Sequence, residues 1–579
     1  MNRYENLLKS WCDKLIDLKI SEIEDERIKN SIICPACGLI HGRIGDAVYP
    51  FVTMYDRTKN EKYLEAAKAV VDWSECNVRR ADGGYYNDKA ATWKGITVFS
   101  AMSLGDTLYY HSECLDEKTR SKWLGIFMRF AEFVIAYFNI VHSNINYDAT
   151  YCAVMAFAYK FSGDEKYKEA AYKKYNFVKE HFTDDGLLRG EGHDVPGKNL
   201  CKYVDLGYNV EESLPAIACF GHLMNDTDVL KSVFEKFVAH LEFMLPDGGW
   251  DNSWGSRSNK WTYWGSRTSD GAATGLCYLT NYNDAFSEAI ERNFNILEKC
   301  SEDGFLYGGI MYRDFKEEPC IHHSFCHAKS LAIMLDTGFE YKNPTALPRD
   351  IPYGVKKFPS VNVNLISIGK IRATVTNNDA VDYYKTAPTG GSIGVLWTEN
   401  AGILLAATAP QYGPAMTEPR NMQLSRNRDK ICNCTMRISN GEFESDYDRN
   451  AVVDVVQSEN SICVTAKGSL SNSALDKDIG YEMFYLFEDD KLTVTACANG
   501  DATFHLPLIC LTSEQVKQSE NEITVAKQNG TIRICYENNE LTLPQGTQYR
   551  DFSLIGGFIT LPIEAHLQKD KKVTFSILV

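Results

Sequence analysis

Two textures of hydrophobic and polar positions divide the chain. Through residue 336, apolar residues recur at helical spacing, and two kinds of segment alternate. Segments such as 61–74, 165–181 and 284–299 set an apolar stripe beside a charged face, the pattern of a helix half in water. Segments 46–56, 94–110, 146–161, 209–224, 270–280 and 324–336 are small or apolar nearly all round, which predicts helices without a solvent face. EKYLEAA at 61–67 returns as EKYKEAA at 165–171, and an Asp-Gly turn follows a helix at Asp82-Gly83, Asp185-Gly186, Asp247-Gly248 and Asp303-Gly304. The repeat is a helical hairpin of roughly 50 to 60 residues. Six buried and about six surface helices predict a closed double ring, an (α/α)6 toroid, over residues 1–340.

Residues 341–360 hold four prolines and read as a linker. From 361 to 579 the period changes to two, with Val, Ile, Thr and Tyr in short runs between turns, which predicts a C-terminal antiparallel β-sandwich. Ten of the twelve histidines and eight of the nine tryptophans precede residue 330. Chemistry is therefore expected in the helical domain, with the β domain as a lid, a packing partner or the surface of a homodimer.

Charge narrows the partners. With 61 basic and 77 acidic side chains the net charge is −16, which argues against nucleic acid and demands a local basic pocket for any anionic ligand. The first twenty residues form an amphipathic pattern without a signal-peptide core, and no stretch approaches the ~20 apolar residues of a membrane span. The 18 cysteines fall mostly inside apolar patterns, so a reducing cytoplasm is expected, or a periplasmic setting for a chain from which a leader has been trimmed. CPAC at 34–37 is a single CxxC with His41 nearby. No fourth ligand is evident, so neither a metal nor another cofactor is expected.

In an α/α ring the inner helices run parallel, and their N-termini gather on one face that favours anions. Their opening residues are His41, Arg43 and Asp46; Asn146 and Asp148; Tyr208, Glu211 and Glu212; Arg267 and Asp270; and His322 and His323. Helix capping is the competing use for the carboxylates among them. The loop LRGEGHD adds Glu191 and His193. Residues 246–270, PDGGWDNSWGSRSNKWTYWGSRTSD, offer Trp250, Trp261 and Trp264 as flat faces for a sugar, Arg257 and Arg267 as forks for a carboxylate, and Asp251. Core filling is the plain alternative for the tryptophans. Hydrolysis of a glycoside would draw two carboxyl groups from Glu191, Glu211, Glu212 and Asp251. Glu211 and Glu212 point about 100° apart on a helix, which leaves one of them, Glu212 by preference, facing the site. β-Elimination would need a neutraliser for a uronate carboxylate and a base for its C5 proton, from Asn146, His193, Tyr208, Tyr263 and Arg267. A third class is a glycan-binding protein of the same fold without activity.

CPACGLIHGRIGDAVYP, WKGITVFSA, NINYDATY, DLGYNVEESLPA, the 246–270 stretch and HHSFCHAKSLA resemble blocks of gut-bacterial proteins labelled heparinase II/III-like. Within that group they look most like glycoside hydrolase family 154, whose described activity is β-glucuronidase. The resemblance implies an (α/α)6 barrel, a β-sandwich, and release of terminal β-glucuronic acid from glucuronate-containing oligosaccharides or glycans. Hydrolysis is the leading expectation, and a polysaccharide lyase cleaving uronic acid linkages is the alternative.

Overall fold

The structure, a computed structural model, describes residues 1–87, 93–139, 144–192, 201–380, 387–408, 432–537 and 540–579. Among these residues the first part of the chain forms twelve helices. They are α1 (Arg3–Asp17), α2 (Val48–Thr58), α3 (Glu61–Asn77), α4 (Thr97–His111), α5 (Glu117–Tyr137), α6 (Ile145–Ser162), α7 (Glu165–Lys179), α8 (Leu214–Met224), α9 (Thr227–Leu241), α10 (Ala273–Leu276), α11 (Asp284–Lys299) and α12 (Ile321–Asp336). A turn at Leu206–Tyr208 and a π-helical segment, Asn209–Ser213, run into α8 without a break.

Even-numbered helices contact one another in chain order, and α12 returns to α2, so they close an inner ring. Each odd-numbered helix packs outside an inner one, with α1 lying on α12. The expected (α/α)6 toroid is therefore present. Every outer helix opens on Asn or Asp (Asn2, Asn60, Asp116, Asp164, Asp226 and Asn283) whose side chain accepts a first-turn N–H. Inner helices α2, α4, α10 and α12 open without a side-chain cap, leaving donors toward the face where their N-termini meet.

The Asp-Gly turns are a repeated connector. Their glycines adopt φ between +79° and +95°, a conformation costly for any side chain. Three of the turns close the bridges Arg79↔Tyr85, Phe182↔Leu188 and Met244↔Trp250, and the fourth closes the hairpin Ser301–Glu302 with Phe305–Leu306. The connection after α1 makes the same bridge at Ile33↔Ile40. One expectation shortens: α10 is four residues long rather than spanning 270–280. Gly275 there lies against the backbone of Pro215, where a Cβ has no room, and glycine weakens a helix.

Beyond α12 the fold is antiparallel β. The supposed linker is partly strand, since Gly354–Phe358 pairs with Val363–Ile368. A five-stranded meander runs from Gly354 to Ala406, and a larger antiparallel sheet takes up strands between Arg437 and Leu578. Their apolar faces share a core that includes Ile366, Leu396, Leu405, Val464, Met483 and Phe504, as a sandwich requires.

Residues 246–270 form the joint between the two domains, and several site expectations are corrected by it. Trp250, Trp254, Trp261 and Trp264 are each 0% exposed and offer no face to a sugar. Trp261 and Tyr263 pack on Phe558 of the β domain at ring-centroid distances of 5.7 and 5.5 Å. Gly556 N–H donates to the Trp261 carbonyl. Arg267, fully buried, donates to the Leu554 carbonyl rather than waiting for a carboxylate. Asp251 accepts from Thr374 Oγ1 at 2.5 Å and lies 3.7 Å from the buried Arg349, so it is an anchor between domains and not a catalytic acid. Indoles and guanidinium groups serve because the joint needs large apolar volume together with donors for buried carbonyls. Asp251→Ala strands the Arg349 charge and should cost about 3–5 kcal/mol, read as a large drop in the midpoint of denaturant unfolding; an unchanged midpoint would remove Asp251 from the joint.

Candidate functional site

Five of the expected site residues meet at the N-terminal face of the inner ring. Asn146 sits in the first turn of α6 and donates through Nδ2 to Glu212 Oε2 at 2.7 Å. Glu191 closes over the same turn: its Oε1 accepts Asn146 N–H at 2.8 Å, and its Oε2 pairs with Arg257 Nη1 at 3.0 Å. The Arg257 guanidinium stacks over the Tyr208 ring, 4.4 Å from the centroid. Tyr208 Oη accepts from Lys260 Nζ at 2.7 Å and shares a short hydrogen bond with Thr268 Oγ1. Glu212 lies in the π-helical turn Asn209–Ser213, a feature common at functional sites.

Glu211 takes the other direction. It accepts from Ser266 N–H at 2.8 Å and from Ser269 Oγ. Gly265 presses against its carboxylate at φ +151°, where any side chain would collide. Glu211 is thus a buried brace for the 265–269 loop and not a catalytic residue.

Burial sets the protonation of this cluster. Glu212 is 4% exposed, and desolvation, reinforced by the Asp270 charge, pushes its pKa up to about 8. Desolvation raises Glu191 to about 7, against the opposing pull of Arg257. Burial also raises Tyr208 well above the usual phenol range, while Arg257 pulls it back. Burial and the Arg257 charge hold Lys260 well below the usual lysine range. Burial thus disfavours the charged form of Glu191, Glu212, Tyr208 and Lys260 alike, and Asn146 Oδ1 and Glu212 Oε1 have no hydrogen-bond partner among the described residues.

Other expected residues lie elsewhere. Arg43 pairs with Asp46 at 2.6 Å and Lys329 with Asp270 at 2.5 Å, an ion network on the toroid axis. The axial cavity lined by Asp106, Glu211, Glu212, Asp270 and Lys329 has about 30 Å³ of free space, enough for water but not for a sugar. Arg43, Asp46 and Asp270 thus have protein partners in this network. Asp148 points outward to Lys174 at 2.7 Å. His41 contacts Cys37 and Cys320. His323 stands edge-on to Trp264, and Tyr263 donates to Asp247. His322 packs on His41 with both ring nitrogens unpartnered among the described residues. His193 lies outside the described residues. Lys260 and Thr268 were not anticipated, although both sit in the 246–270 stretch; its tryptophans and arginines drew the reading away from them. Lys329 was visible as a lysine inside an otherwise apolar helix, where charge is rare without a partner.

Known proteins give this geometry its class. Heparinase III shares the architecture with a TM-score of 0.56 at 12% identity, covering 100% of this chain and 85% of its own. A chondroitin AC lyase from Streptomyces coelicolor A3 does so at 0.55 and 11%, covering 99% and 82%. The toroid followed by an antiparallel β domain is thus a fold found among polysaccharide lyases. Residues 8–350 match the family described as Ulvan lyase N-terminal domain, and residues 355–579 match Ulvan lyase C-terminal domain. A broad-specificity ulvan lyase of Formosa agariphila is 36% identical over 591 residues, 97% of this chain and 91% of that protein. The chain belongs to the ulvan lyase family.

That membership overturns the leading expectation. The resemblance to glycoside hydrolase family 154 is not supported, and the β-glucuronidase and glycosidase readings give way to the lyase alternative. In the structure Glu191, Glu211 and Asp251 each accept hydrogen bonds from backbone, hydroxyl or guanidinium donors.

The raised carboxyl groups also carry a pH signature. A folded pKa above the unfolded value adds stability below the ordinary carboxylate range, and that stability is lost as pH climbs through the folded pKa. Glu191 and Glu212 place this loss across about pH 5 to 8. Glu212→Gln should therefore flatten the decline of Tm between about pH 5 and 8; a curve parallel to that of the unaltered protein would mean Glu212 is already ionised at neutrality.

Proposed function

We propose that this chain is a polysaccharide lyase that cleaves ulvan, or a similar acidic polysaccharide, at a uronate linkage by β-elimination. The observation that carries the reading is Tyr208, a buried phenol hydrogen-bonded to the Lys260 amine and Thr268, stacked under Arg257. Glu212, protonated at neutral pH, and Asn146 form the corner that receives the uronate carboxylate. A hydrogen bond from a neutral acid lets charge developing at C5 spread into that carboxylate. Once the phenol proton has left to solvent, Lys260 Nζ at the phenol oxygen and the Arg257 guanidinium over the ring stabilise the Tyr208 phenolate.

The phenolate removes the C5 proton. The C5–H electrons form the C4=C5 double bond, the C4–O bond breaks, and Tyr208 returns the proton to the departing oxygen on the same face of the ring. Protons balance within one residue, and no water is consumed. Glu191 acts through others, fixing Asn146 and Arg257. The negative charge of the whole chain is no obstacle, because Arg257 and Lys260 face the substrate from inside the site.

Ulvan incubated with the protein should show rising ultraviolet absorbance from the new double bond, and p-nitrophenyl β-glucuronide should release no nitrophenol. Tyr208→Phe should lose about 10²–10⁴-fold in kcat with an unchanged unfolding midpoint. Near-normal turnover in that variant would sink the assignment of Tyr208, whereas chain shortening without new absorbance would sink the elimination itself.

A further inference from the structure

Away from this site, three thiols and an imidazole converge. The hairpin after α1 turns tightly, with Cys34 N–H donating to the Leu39 carbonyl and Gly38 N–H to the Cys34 carbonyl. It brings Cys34, Cys37 and His41 together, their ligand atoms all within 4.8 Å of one another. The fourth group comes from the far end of the ring: Cys320, immediately before α12, places its Sγ 3.7 Å from Cys34 Sγ and 3.8 Å from His41 Nε2. Cys37 Sγ lies 3.5 Å from His41 Nε2. A tetrahedral zinc site with metal–sulfur bonds of ~2.3 Å and a metal–nitrogen bond of ~2.0 Å has edges of roughly 3.5 to 3.8 Å. Cys34, His41 and Cys320 are 0, 5 and 2% exposed, and thiols are poor hydrogen-bonding partners for one another.

We propose that Cys34, Cys37, His41 and Cys320 bind one zinc ion. Three thiolates and one imidazole form a soft, closed donor set with no position left for substrate, so the role is structural. The ion would tie the α1–α2 connection to the start of α12, across the seam where the ring closes. It would also hold His41 against His322, which its ring contacts. Sequence reading had three of these ligands within eight residues and no fourth, because Cys320 is 286 residues from Cys34.

The test is metal analysis of the full-length protein produced with zinc supplied and purified without chelators. Expected are one zinc per chain and an X-ray absorption spectrum fitted by three sulfurs and one nitrogen. Cys34→Ser and Cys320→Ser should each lose the metal and lower Tm, while serine at the exposed Cys76 changes neither. Absence of stoichiometric zinc, a sulfur-free coordination shell, or a Cys34–Cys320 disulfide in a non-reducing peptide map would each overturn the proposal. The wild-type measurements decide even if a variant fails to fold.

Discussion

Everything near the candidate site depends on how the 246–270 segment is pinned. The stretch has almost no regular secondary structure, so hydrogen-bond ladders do not set its path. Four buried indoles and two buried charged groups set it instead, gripping the β domain on one side and the ring on the other. Arg257, Lys260 and Thr268 then project from a backbone that cannot drift. Placing a guanidinium over a phenol ring and an amine at its oxygen requires such a rigid support.

The second organising effect is desolvation. Burial shifts the side chains of the cluster away from their charged forms, and two ion pairs on the toroid axis hold further charges. This separates two populations of polar residues that look alike in a sequence. Asp46, Asp270, Arg43 and Lys329 neutralise one another on the toroid axis. Asn146 and Glu212 each keep one oxygen without a partner among the described residues, beside the Tyr208–Lys260 pair.

The ring was legible because its evidence is periodic: amphipathic and all-apolar helices alternate, and left-handed Asp-Gly turns recur at fixed places in the repeat. Asn146, Tyr208 and Glu212 are expected on one face because the toroid gathers inner-helix N-termini there, and the structure brings Glu191 from its loop and Arg257 from the 246–270 stretch to meet them. Trp250, Trp261, Trp264 and Arg267 were misread for a physical reason. Aromatic rings beside arginines suit a sugar site and a domain joint equally well, and only burial tells them apart. Choosing hydrolysis over elimination was beyond the residue types alone, since one cluster offers carboxyl groups, a phenol and an amide together.

Closure of the ring by its first and last helices bears on how the chain is made. Arg3 and Tyr4 of α1 bond to Glu291, 288 and 287 residues away, and α1 lies on α12, whose last residue is Asp336. During synthesis α1, which carries Leu8, Trp11 and Leu15 on its apolar side, can meet α2 and α3 early, but its main partner, α12, is made only after nearly the whole toroid has left the ribosome. Contacts of such long sequence separation make folding slow and leave sticky surface open meanwhile. The nascent ring therefore keeps part of the apolar surface of α1 uncovered until its last helix is made.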